Sequence, residues 1–114
     1  MSYDLAVWDG ELPRGDEAGA VFDALYERYL DSEDVIAELS PRIETYVEAL
    51  VERYPDDVAG SPWASPPVMG EASGPIVYLL MSYSRAEEVS EYAAALAREH
   101  GLVCYDPQGE TLRV

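Results

Sequence analysis

An α/β (α+β) two-layer sandwich is the fold class that three features of this 114-residue sequence predict. Three segments repeat apolar residues at helical spacing. One run is apolar on both faces, and short alternating segments near the two ends are bracketed by Gly and Pro. The expected order is β-α-α-β-α-β-β, with a mixed four-stranded sheet and its helices mainly on one face. The length fits a single domain over 1–114.

Tyr3 to Trp8 reads as the first strand, with Tyr3, Leu5 and Val7 on one face and Asp4, Ala6 and Trp8 on the other. A turn region with Gly10, Pro13 and Gly15 follows, and Asp16 is the expected N-cap of a helix reaching Leu30. In that helix Ala18, Val21, Phe22, Leu25, Tyr26, Tyr29 and Leu30 keep helical spacing without a gap. Residues 31–39 are acidic and read either as a loop or as a short helical turn. Ser40-Pro41 then supplies a cap with proline at the first helical position. Ile43, Tyr46, Val47, Leu50, Val51 and Tyr54 form the second apolar stripe, which Pro55 ends.

The segment 55–75 holds Pro55, Pro62, Pro66, Pro67 and Pro75 together with Gly60, Gly70 and Gly74. It reads as a long, mostly irregular loop, with Pro67 to Glu71 as a candidate short edge strand. Ile76 to Met81 has the two-sided apolar character of a central buried strand. Ser84 and Glu87 have capping-box spacing and open a third helix, with Ala86, Val89, Tyr92, Ala93, Leu96 and Ala97 inward and Gly101 just past its end. Leu102–Tyr105 and Glu110–Arg113 make a closing hairpin around Asp106-Pro107-Gln108-Gly109, and the unit 76–105 is a candidate parallel crossover.

Twenty-three acidic residues face seven arginines and no lysine, giving a formal net charge of -16. Such a surface repels nucleic acid and anionic membrane and favours cationic partners. Asparagine is also absent, with only three Ile and one Phe, which is the depletion a GC-rich genome produces. Nine tyrosines run against that trend and point to amphipathic rings at core edges or a contact surface. The single Cys104 excludes an internal disulfide and fits a reducing compartment. The first residues lack the basic and apolar regions of a signal peptide. No run approaches the ~20 apolar residues of a membrane span. The expected location is the cytoplasm.

Positive signs of catalysis are few. One His and one Cys cannot build a zinc site, no phosphate loop is present, and the absence of lysine removes Schiff-base chemistry. His100 falls where a helix dipole welcomes a cation, and Cys104 reads as a small core hydrophobe. No catalytic residue, metal or cofactor is expected. The carboxylates are more informative. Glu44, Glu48 and Glu52 are spaced i, i+4, i+8 on the outer side of the second helix, with no cation at 45 or 49. Each like-charged pair costs about 0.2–0.5 kcal/mol, and Asp56 and Asp57 extend the line. This strip reads either as a solvated face or as a docking strip for a basic protein, with Trp63 in its Pro-rich loop as the buried anchor of that contact. Trp63 fits a plug at the edge of the core better than an anchor. A second arrangement brings Trp8 and Trp63 together as an aromatic cleft rimmed by Asp9, Glu11 and Glu71.

Tyr3-Asp4-Leu5-Ala6-Val7-Trp8, Ser61-Pro62-Trp63, Gly74-Pro75-Ile76-Val77-Tyr78 and Gly101 to Gln108 together resemble a family of small acidic bacterial proteins of unknown function. The resemblance spans nearly the whole chain and implies a standalone intracellular protein, with no activity or catalytic residues attached. In size and charge the chain is also similar to the immunity proteins of bacterial toxin systems, which inhibit toxins by direct binding. The leading expectation is therefore a non-catalytic domain that binds a basic partner, such as a toxin. The alternatives are a small-ligand binder or enzyme at the Trp8–Trp63 cleft, with Asp9 or Asp106 as acid or base, and a protein whose charge serves solubility alone.

Overall fold

Strand β1 (Ser2–Trp8) buries Leu5 and Val7 on one face and Ala6 and Trp8 on the other, so it needs cover on both sides. Strand β3 (Ile76–Ser82) makes the same demand through Val77, Leu79 and Met81 against Ile76. The structure, a computed structural model that describes residues 2–31, 38–64 and 66–113, meets it with a helical layer on each face. Residues 32–37, most of the acidic stretch expected as a loop or turn, lie outside the described residues.

Among the described residues the α+β fold has five strands in one sheet, in the order β2 (Ala72–Ser73), β3, β1, β4 (Val103–Asp106) and β5 (Thr111–Leu112), and every pairing is antiparallel. The expected mixed four-stranded sheet with helices mainly on one face is corrected on each point. The fifth strand is β2 (Ala72–Ser73), which pairs with Val77 and Ile76 through a two-residue turn at Gly74-Pro75. Gly74 has φ 53°, the left-handed conformation such a turn places at its first position. The proposed edge strand at 67–71 is instead a 3-10 turn, Val68–Glu71, leading into β2. Strands β3 and β4 (Val103–Asp106) run in the same direction but do not pair, because β1 lies hydrogen-bonded between them. The crossover through α3 is thus split around β1.

Helix α1 (Ala18–Leu25) covers the face of Ala6, Trp8, Ile76, Val103 and Tyr105. It continues as a π-helical turn, Tyr26–Leu30, closed by the Asp31 N–H donating to the Tyr26 carbonyl. Helices α2 (Pro41–Arg53) and α3 (Ala86–Glu99) cover the opposite face, which holds Leu5, Val7, Val77, Leu79, Met81 and Cys104. The Tyr46 hydroxyl of α2 donates to the Ala93 carbonyl of α3 at 2.8 Å and ties these two helices together. Burial pushes the Tyr46 hydroxyl well above its ordinary pKa and the Cys104 thiol up to about 12.

Side-chain caps behave differently from expectation. Glu17, not Asp16, is the residue before α1, and Asp16 is exposed beside Arg14 at 3.5 Å. Ser84 lies within a 3-10 turn (Tyr83–Arg85) and makes no cap bond, so the expected capping box is not formed. Ser40 does precede α2, yet its hydroxyl donates to Asp9 at 2.8 Å rather than accepting from the helix. That bond places a carboxylate at the positive end of α2. The end of α3 is closed by backbone alone. Gly101, at φ 70°, lets its own N–H reach the Arg98 carbonyl and the Leu102 N–H reach that of Ala97.

The Pro-rich stretch after α2 protects the outer edge of β3. Ala64 N–H donates to Leu80 O and Ser82 N–H to Pro62 O, each at 2.8 Å, while β2 covers the other end of that edge. At the far side of the sheet, β5 (Thr111–Leu112) pairs with β4, and Glu110 rather than Gly109 takes the positive φ of the hairpin loop. The Gln108 side-chain amide accepts from Asp4 N–H at 2.6 Å and donates to Asp4 O at 2.8 Å. One side chain thereby continues the ladder where β4 has turned away from β1.

Candidate functional site

The second helix presents one face to the core and the other to solvent, and Glu44, Glu48 and Glu52 all fall on the exposed side. Val47 and Leu50 are buried beneath them, and Val51 is half-buried. The chain leaves α2 through Tyr54 and Pro55. Its course there is set by Trp63, whose indole N–H donates to the Tyr54 carbonyl at 2.7 Å. The Val68 N–H donates to the Asp56 carboxylate at 2.8 Å, clasping the 3-10 turn against the end of α2.

This clasp shapes a groove of about 510 Å³. Its apolar lining is Val47, Val51, Pro55, Pro67 and Met69, and its acidic lining is Glu48, Glu52, Asp56 and Asp57. Glu44 lies one helical turn further along the same side and is not part of the lining. The groove sits at the C-terminal end of α2, where free carbonyls add negative potential to the carboxylates.

The arginines go elsewhere. Arg42 lies 3.8 Å from Asp9 and Arg85 3.3 Å from Glu88. Arg28 stacks on Tyr29, Arg53 on Tyr54 and Tyr92, and Arg113 donates to the Tyr3 hydroxyl. Among the described residues, no arginine forms an ion pair with Glu44, Glu48, Glu52, Asp56 or Asp57. Tyrosine hydroxyls serve as neutral donors to other carboxylates, with Tyr3 on Asp106, Tyr54 on Glu88 and Tyr78 on Asp4. The α2 line is therefore left without a neutralising ion pair among the described residues.

Two expected placements are corrected. Trp63 is 5% exposed, forms a bridge with Met81 and packs in the core, so it offers no surface anchor. Trp8 lies in the layer under α1 while Trp63 lies in the layer under α2 and α3, so the sheet separates them and no shared aromatic cleft exists. Strand alternation explains this, since Trp8 points to the face opposite Val7. Asp9 is held by Ser40 and Arg42 at the start of α2, and Glu71 is half-buried at the end of the 3-10 turn. Glu11 is exposed in the turn after β1.

Asp106 does not have the raised pKa that an acid or base role required. Burial pushes its carboxyl up, but hydrogen bonds from the Tyr3 hydroxyl, the Gly109 N–H and Gln108 outweigh it and hold the pKa below the ordinary value. Cys104 is buried with its thiol raised to about 12, the opposite of an activated nucleophile. Among the described residues, no group of three or more His, Cys, Asp or Glu is placed to hold a metal ion. Among the described residues, no helix is long and apolar enough to cross a membrane.

Val47, Val51 and Pro55 belong to the stripe and stop of α2 that the sequence shows, but the rest of the apolar lining is not legible locally. Pro67 and Met69 are distant in sequence and arrive through the Asp56–Val68 clasp. The one signal was the run of prolines, which marked a long irregular loop without saying where it led. No protein-family model, no curated protein and no solved structure matches this chain.

Proposed function

We propose that this protein is a non-catalytic binding domain whose α2 groove takes a basic segment of a protein partner. The segment it fits carries an aliphatic or aromatic side chain flanked by arginine or lysine. One observation carries the reading: an apolar lining is edged by Glu48, Glu52, Asp56 and Asp57, and among the described residues none of these forms an ion pair with a cation.

Each half of the groove has a distinct job. Rim ion pairs exposed to solvent are worth only about 0.2–1 kcal/mol each, so they steer and orient more than they hold. Burying one Leu-sized side chain adds about 1.5–3 kcal/mol. The like-charge repulsion along Glu44, Glu48 and Glu52 is relieved when a cation arrives, which gives the empty strip a reason to bind. Inhibition of a cationic toxin by direct contact is the biological form of such binding that the chain's size and charge favour.

The test uses a synthetic peptide with a central leucine flanked by arginines, titrated into the full chain by fluorescence anisotropy. Affinity in the ~10–100 µM range is expected at low salt, falling as salt is raised. The double variant Glu48→Arg/Glu52→Arg should weaken it at least about tenfold. Replacing the central leucine with serine should weaken it by a similar factor. Binding that ignores salt and both changes would refute the reading.

A further inference from the structure

On the other face of the sheet, three aromatic rings in mutual contact form one side of a second, open depression of about 400 Å³ beside α1 and β3. Phe22 lies on α1, Tyr26 opens the π turn that follows it, and Tyr78 comes from β3. Their centroids are mutually close, at 5.8 Å for Phe22–Tyr26, 6.0 Å for Phe22–Tyr78 and 5.6 Å for Tyr26–Tyr78. Tyr26 and Tyr78 stand at 73° to one another, as two walls of a corner. Phe22 lies 20° from the plane of Tyr78.

The rings are fixed from behind. Phe22 rests 5.4 Å from Tyr105, which is buried, and the Tyr78 hydroxyl is committed to Asp4 at 2.9 Å. Tyr26 is 37% exposed although its helix stripe reads as apolar, so one wall of the corner is open to solvent. It also begins the π-helical turn, a departure from α geometry that recurs at functional sites. Through that turn the Asp31 N–H bonds to the Tyr26 carbonyl, which brings Asp31 to the rim with Asp23 and Glu27. Arg28, the nearest cation in sequence, is directed away onto Tyr29 at 5.2 Å.

Aromatic faces attract cations through the ring quadrupole, and the attraction grows when the cation has little water to lose. A lysine ammonium or an arginine guanidinium keeps N–H groups that the ring faces cannot satisfy, so only those turned toward the rim carboxylates would find acceptors. An alkylated ammonium has few or no N–H groups, and its methyls pack on rings while its charge is balanced by carboxylates nearby. The volume is near the lower end of the ~300–1,000 Å³ typical of small-molecule pockets, which suits a headgroup rather than an extended molecule. We propose that the Phe22–Tyr26–Tyr78 corner, rimmed by Asp23, Glu27 and Asp31, is a binding site for an alkylammonium group. It is independent of the α2 groove.

Choline is titrated into the full chain at constant ionic strength, with its N-methyl signals and the Tyr26 ring signals followed by NMR. Its neutral isostere 3,3-dimethylbutan-1-ol serves as the control. Choline should bind saturably with a Kd of roughly millimolar order, at least about tenfold tighter than the isostere. Tyr26→Leu, at an exposed position, should weaken choline about fivefold, as should Asp23→Asn/Glu27→Gln. Glu48→Gln/Glu52→Gln in the other groove should leave it unchanged. A short trimethyl-lysine peptide separates the two sources of this chemistry. Choline binding at least as tight as the peptide assigns the site to a free cation, and a peptide about tenfold tighter assigns it to a modified protein. A linear choline response, equal binding of the isostere, or indifference to Tyr26→Leu would each overturn the proposal.

Discussion

Two lines of carboxylates cross this molecule at the same spacing, Glu44–Glu48–Glu52 on α2 and Asp23–Glu27–Asp31 along α1 and its π turn. What lies beside them differs. The α2 line borders Val47, Val51, Pro55, Pro67 and Met69, above a layer shared by two helices and the Trp63 loop. The α1 line borders Phe22, Tyr26 and Tyr78, above a smaller layer covered by one helix and its π turn. Negative charge at a surface selects only for positive charge. The neighbouring side chains decide which cation is preferred, an arginine-flanked apolar residue at the first line and an alkylated ammonium at the second.

The largest expected effect separates the two layers by stability. Leu50→Ala removes a fully buried side chain beneath the α2 line and should cost about 2–5 kcal/mol in urea unfolding. Phe22→Ala, at a half-buried position, should cost only about 1–2 kcal/mol. Hydrogen exchange should show the α1 amides opening before those of α2, since fewer buried contacts hold α1. Equal costs for the two truncations would mean that Phe22 is ordinary core and that the aromatic corner is not an open surface.

Next in size is a swap of charge between the lines. Glu48→Arg/Glu52→Arg and Asp23→Arg/Glu27→Arg change the net charge equally. Only the first pair should abolish tight binding of the arginine–leucine peptide, by about tenfold or more, and the second should alter it less than about threefold. If both pairs weaken it equally, the whole -16 charge of the chain acts at long range and neither groove recognises anything.

Different parts of this comparison were legible in the sequence for different reasons. The α2 line was visible because nothing interrupts Glu44, Glu48 and Glu52. The α1 line has the same spacing but was masked by Arg28, and only the structure shows that guanidinium lying on Tyr29. The aromatic partner Tyr78 comes from a strand some fifty residues away, a juxtaposition that no local period encodes. Helix stripes and the Gly101 terminus were readable because they are local. The two helical layers were implied by Ile76–Met81, whose two-sided apolar pattern already contradicts a sheet covered on one face. The start of α2 at Ser40-Pro41 was readable too, but not the bond its hydroxyl makes, because Asp9 is a tertiary partner.

Alkaline pH loads both layers, since burial also raises Tyr78 and Tyr105 under α1, and Cys104 reports on the α2 layer. The Cys104 thiol is raised from 9.0 to about 12 in the folded chain, by burial first. Below pH 9 the thiol is protonated in both states, and its full contribution to stability is present. Above that value the unfolded chain sheds a proton that the folded chain retains, so stability falls as pH climbs toward 12. One such proton contributes a slope of up to about 1.4 kcal/mol per pH unit. The buried Tyr46 hydroxyl acts in the same direction from a higher starting value. Cys104→Ala should lose some stability at pH 7 yet show a shallower decline between pH 9 and 11 in urea midpoints. An unchanged decline would show that the thiol ionises freely in the folded state.

The smallest effect tests whether the α2 line is held in place against its own repulsion. Glu48 stands between Glu44 and Glu52, so Glu48→Gln removes two unfavourable i, i+4 pairs and should stabilise the chain by about 0.4–1 kcal/mol. Glu27 stands between Asp23 and Asp31, but the π turn adds a residue to the 26–31 ring and moves the second pair out of α-helical stacking. Glu27→Gln should therefore gain less, about 0.2–0.5 kcal/mol, measured by thermal or urea unfolding at low salt. A gain from both substitutions that vanishes at high salt would identify both lines as electrostatic strain. Strain of this kind is relieved either by a substitution or by a bound cation, so the gain from Glu48→Gln should appear together with weaker peptide binding. A Glu48→Gln variant that is more stable and still binds the peptide at full strength would separate the strip from the groove and leave its charge without a binding role.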